Sequence, residues 1–179
     1  MDIITPKKNI ILDATTLSSL MSCGRLTDFH FNHNFRPIKG KSNSLECGSI
    51  VHKVLECFYR STISGKSRND AIEDGMAAGA LYINGCQSCI DKSKTCGHED
   101  DEYPGVSQTP EVSLGYQIGW KWALETCEQY FDHYRGDHWV PLEVEVVKSE
   151  ILYEDDEIRV LWKGKLDLVV DTNQGIYPV

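Results

Sequence analysis

The sequence predicts an α+β fold, with amino-terminal helices followed by an antiparallel β-meander. Three observations carry this. Apolar residues recur at helical spacing through segments at about 45–59, 68–83 and 110–134. From Leu142 the pattern changes to period-two alternation, which marks half-buried strands. Polar turn segments, Glu154-Asp155-Asp156-Glu157 and Asn173-Gln174-Gly175, divide the alternating part at hairpin spacing.

Thr15 or Thr16 is placed to cap a short first helix whose Leu17, Leu20 and Met21 form one apolar stripe. A polar, irregular stretch at about 32–44 follows. The second helix carries Val51, Val54, Leu55 and Phe58 at i, i+3, i+4 and i+7, with His52 beside that stripe. In the third, Ala71, Ile72, Met76, Ala80 and Ile83 mark the buried side, weakened by Gly75 and Gly79. After a cysteine-rich insertion at about 84–110, Pro110-Glu111 opens the longest periodic segment. There Tyr116, Trp120, Ala123, Cys127, Tyr130 and Tyr134 recur at alternating fours and threes, Leu124 and Phe131 widen the face, and Gly136 ends the helix.

Residues 142–146 alternate strictly, and Glu143 and Glu145 fall together on a face expected to be solvated. Ile158, Val160 and Trp162 lead into the last long strand. There Leu166, Leu168 and Val170 share one face and Asp167 and Val169 the other. A carboxylate among such neighbours needs a partner that offsets its desolvation, and a metal ion is one. Asp171 is better placed than Asp167 to cap the hairpin at 173–175.

At 179 residues, 41% hydrophobic and 25% charged, the chain has the size of a single domain spanning 1–179 and can bury a core. No apolar run approaches the ~20 residues that span a bilayer, and the amino end lacks a signal-type apolar stretch. The expectation is a cytoplasmic protein with no membrane partner. Seven cysteines then point to reduced thiols or metal ligands. Cys47, Cys57 and Cys127 read as helix-face packing residues. The formal charge of −9 runs against phosphate-backbone binding, although basic residues gather in the first part of the chain and acids at 99–102 and 154–157.

Two segments carry a family resemblance. Gly164-Lys165-Leu166-Asp167-Leu168-Val169 resembles the G-[KR]-[IL]-D strand of the PD-(D/E)XK nuclease superfamily, in its RecB-like and AddB-like exonuclease branch. Gly48-Ser49-Ile50-Val51-His52-Lys53-Val54-Leu55-Glu56 resembles that family's G-x-x-[VI]-H-x-x-[LF]-E helix, and it lies upstream as the family order requires. A third likeness is the opening helix, Leu12 through Arg25, with Gly24 where the family has proline.

The resemblance implies a metal-dependent DNA exonuclease of repair or recombination, of the kind found in bacteria and phages. Asp167 and His52 would be its catalytic Mg²⁺ or Mn²⁺ ligands, and a helicase or recombination protein a further partner. Glu145 would be an auxiliary acid, and Glu56, at i+4 from His52, could orient the imidazole. In the family the next strand carries a [DE]-x-K motif, and Gln174-Gly175-Ile176-Tyr177-Pro178-Val179 resembles the approach to it. The chain is therefore expected to be an amino-terminal portion of the nuclease, inactive by itself. The alternative is a non-catalytic module on a nuclease-like scaffold that binds nucleic acid or protein.

Within the insertion, Cys86, Cys89, Cys96 and His98 form C-x2-C-x6-C-x-H, four soft or borderline donors suited to a tetrahedral structural Zn²⁺, in a segment poor in apolar groups. C-x2-C pairs also serve redox chemistry, and unliganded thiols are the alternative, but a structural zinc loop is the preferred reading. Cys23 matches the first cysteine of the family's iron–sulphur members, but no cluster is expected from it alone.

Overall fold

The computed structural model describes residues 8–28, 33, 42–86, 105–108, 113–136 and 138–178. Among these, four α-helices and a four-stranded mixed sheet follow the order β1 (Lys8–Leu12), α1 (Ala14–Ser22), α2 (Asn43–Ile63), α3 (Arg68–Asn84), α4 (Leu114–His133), β2 (Val140–Glu154), β3 (Ile158–Thr172) and β4 (Gly175–Pro178). A single helical turn, Gly24–Thr27, follows α1. The chain forms two compact units, one of Met1–Gly40 with Glu145–Asp167, the other of Lys41–Val144 with Leu168–Val179. Strands β2 and β3 run through the boundary, which falls after Val144 and before Leu168.

In the second unit, α2 packs against both α3 and α4. Ile50, Val54, Phe58, Ala71, Trp120, Ala123, Cys127, Phe131, Leu168 and Val170 make one buried cluster. The stripe of α2 is rotated from the one expected: Ile50 is fully buried, and Val51 and Leu55 pack at the margin. Tyr59 and Tyr130 share a 2.5 Å hydrogen bond between their hydroxyls, which lets two polar tips enter an aromatic region. Ser64 caps the C-terminus of α2, and Gly65, at φ 87°, supplies the left-handed residue that turns the chain. Ser67 then caps α3, its hydroxyl accepting from the Asp70 N–H at 3.3 Å.

Gly75 and Gly79, expected to weaken α3, are buried and form its contact face. A Cβ on Gly75 would lie 2.8 Å from the Val54 carbonyl oxygen, and one on Gly79 would lie 2.5 Å from Val54 Cγ2. The missing side chains let two helices approach closely.

In the first unit, β1 pairs parallel with β3 in the register Lys8↔Ile158 to Leu12↔Trp162. The sheet is thus mixed, and the simple antiparallel meander expected from the sequence is corrected. The cap of α1 is Asp13, whose Oδ1 accepts from the Thr16 N–H at 2.6 Å, so neither threonine serves. Leu17, Leu20 and Met21 form no buried stripe; Met21 is 81% exposed. The β2–β3 turn is held by Asp155, whose Oδ1 accepts from the Glu157 and Ile158 N–H groups at 2.8 Å each.

Strand β4 pairs antiparallel with the end of β3, Thr172 facing Gly175 and Val169 facing Pro178. Thr172 closes this hairpin in place of Asp171: its hydroxyl donates to the Gly175 carbonyl at 3.0 Å and accepts from the Gln174 N–H at 3.1 Å. No helix among the described residues is long and apolar enough to cross a membrane.

Candidate metal centre

His52 lies on α2 between Ile50 and Val54, which face the core, so its ring emerges at the flank of the helix, half-buried. Val144 and Leu168 pack into the same apolar cluster as Ile50 and Val54. Their chain neighbours are Glu145 and Asp167. The donor atoms of His52, Glu145 and Asp167 all lie within 4.8 Å of one another.

Glu145 departs most from expectation. Strict alternation placed it beside Glu143 on a solvated face, yet its side chain is only 7% exposed, whereas Glu143 is exposed. The cause is in the backbone: φ at Glu145 is +57°, the one positive value outside glycine among the described residues. This breaks the alternation, and residues 144, 145 and 146 are all half-buried in succession. Such a conformation costs a non-glycine residue about 1–3 kcal/mol and persists only where the surrounding structure over-determines it. The Lys165 ammonium, itself 55% exposed, pairs with the Glu145 carboxylate. Sequence reasoning assigned Lys165 no role.

Asp167 is exposed, which corrects the expectation of a desolvated acid. Burial begins one residue later, where Leu168, Val169 and Val170 are buried in succession because both faces of β3 are covered there. The acid needs no metal to repay its desolvation. Its place in the cluster is what would let it hold one.

The donor set suits a cation such as Mg²⁺ or Mn²⁺: oxygen ligands with one imidazole, at separations comparable to the ~4.2 Å between opposite ligands of an ion bound at about 2.1 Å. Glu56 is engaged elsewhere, its Oε1 with Arg60 at 2.8 Å and its Oε2 with Lys53 at 3.3 Å, so it is not placed as the partner that orients His52.

Of the proposed zinc ligands, Cys86 is half-buried after α3, and Cys89, Cys96 and His98 lie outside the described residues. Cys23 is exposed at the start of the single helical turn. Comparison with protein-family models and with curated proteins finds no match.

Proposed function

We propose that His52, Glu145 and Asp167 hold one divalent cation and that the centre serves metal-dependent hydrolysis of DNA phosphodiesters. The gathering of these three donors carries the reading, and the resemblance of the His52 helix and the Asp167 strand to RecB-like nucleases supplies the reaction class. A bound cation would supply an activated water and offset the charge that develops on the phosphate. The chain's own groups prepare for it. Helix α2 presents the imidazole from a rigid element, and the backbone at Glu145 aims a shielded carboxylate. Lys165 balances that carboxylate's charge, and exposed Asp167 leaves a path for a solvated substrate.

Titration with Mn²⁺, followed by the electron paramagnetic resonance of the free ion, tests the centre. One bound equivalent is expected, with binding lost in Asp167→Ala and His52→Ala and weakened in Glu145→Gln. Unchanged binding by a folded Asp167→Ala protein would remove the site. Digestion of labelled DNA, assayed on the full-length protein, tests the reaction class. Metal binding without digestion there would favour the non-catalytic module.

A further inference from the structure

Beside His52, the first three turns of α2 and the last turn of α3 enclose an open groove of about 600 Å³, lined by Ser44, Leu45, Gly48, Ser49, His52, Lys53 and Tyr82. Ser44, Gly48 and His52 stand at i, i+4 and i+8, so one row of the helix runs along the groove and ends at the imidazole. The space falls within the range of small-ligand sites, roughly 300–1,000 Å³.

Gly48 is the telling residue. A glycine inside a helix sacrifices stability, and the buried helical glycines answer to packing, whereas Gly48 is exposed: a Cβ would lie 2.8 Å from its nearest neighbour at Gly75, 2.5 Å at Gly79 and 2.6 Å at Gly119. At Gly48 a Cβ would meet nothing within 4 Å. No packing among the described residues requires the missing side chain, but the groove does, because Gly48 lies at its middle.

We infer that this groove seats one unstacked nucleotide of single-stranded DNA, its base against Tyr82 and Leu45, and presents the adjoining phosphodiester to His52. This rests on the metal-dependent nuclease reading, which it deepens by naming the strand form of the substrate. Three features select the occupant. The lining offers an aromatic ring and an aliphatic chain, which suit the apolar face of a base. Lys53 is the one lysine or arginine among the described lining residues, and it stands next to His52, where a phosphate following the base would share it with Glu56, its ion-pair partner at 3.3 Å. The groove also ends at a proposed metal ligand, so a strand lying in it is already directed at the chemistry. A paired base cannot use the site, since its face is covered by stacking.

Fluorescence anisotropy of labelled oligo(dT), measured in EDTA so that neither metal nor cleavage intervenes, tests the assignment. Gly48→Leu should weaken binding by about tenfold or more while the melting temperature stays at or above that of the parent, because the helix gains a better former. Tyr82→Phe should bind like the parent, and Tyr82→Ser should lose about tenfold, the loss expected for one stacked base. Undiminished binding by Gly48→Leu, no binding by the parent, or equal binding of duplex DNA would each overturn the proposal. The Mn²⁺ titration separates the two readings. Intact metal binding with an indifferent groove removes the groove alone. Groove-dependent oligo(dT) binding without a metal site removes the metal centre alone.

Discussion

The Cys127 thiol is fully buried at the centre of α4, and burial pushes its pKa up to about 11. Burial likewise raises Cys47 and Cys57, whose thiols donate weakly to Asn43 Oδ1 and to the Asp74 carbonyl, each at 3.5 Å. All three behave as the small packing residues that their helical positions predict. The consequence for stability has a definite sign. Between the ordinary thiol value near 9 and about 11, the unfolded state loses the Cys127 proton while the folded state keeps it, so stability falls as pH rises through that window, by roughly 3 kcal/mol at most. Urea denaturation across that range should show the decline, and Cys127→Ala should flatten it. At the acid end, hydrogen bonds from Lys66 and Ser61 hold Asp74 below the usual carboxylate range. Its contribution is present above that range and is lost as pH falls through the lowered value.

Glycine shows how far the elements were legible. Periodicity located α2, α3 and α4 because each buries a continuous stripe, and it located the β2–β3 hairpin because alternation brackets an acidic turn. It misread Gly75 and Gly79 as weak points, since propensity carries no information about what lies across the interface. It also passed over β1: five residues are too few to show a period, and the parallel partner lies some 150 residues away, beyond any local signal. Gly164, part of the family-like strand, has its own reason to lack a side chain, because a Cβ there would stand 2.2 Å from the Trp162 indole, which lies over it. At the centre, His52 and Asp167 were visible as motif residues, whereas the turn of Glu145 inward depends on one backbone angle that no pattern records. Gly75→Ala tests the packing account. Alanine gains about 1 kcal/mol of helix propensity, but its Cβ meets the Val54 carbonyl, which is held in α2 and cannot yield as a side chain would, and such overpacking costs about 1–3 kcal/mol. Net destabilisation of about 1 kcal/mol is expected in urea titrations, opposite in sign to Gly48→Ala, where space is open.

Charge is a property of the whole chain, and here 27 acids outnumber 18 lysines and arginines. A strand of DNA carries the same sign, so release of counterions cannot supply much of its affinity, and the proposed groove relies instead on contact with a base face. Each phosphate neutralised on a single strand contributes about −0.7 to the slope of log affinity against log salt. With Lys53 as the only lysine or arginine lining the described groove, oligo(dT) binding should show a slope no steeper than about −0.7. Lys53→Met should bring it close to zero without abolishing binding. A slope several times steeper, unaltered in Lys53→Met, would place the strand on another surface, one that gathers many basic groups. Adding Mn²⁺ changes the balance in a predictable direction, since one cation among Glu145, Asp167 and His52 offsets two carboxylates beside the path of the strand. Affinity for oligo(dT) should therefore rise with Mn²⁺ in the parent and stay unchanged in Asp167→Ala.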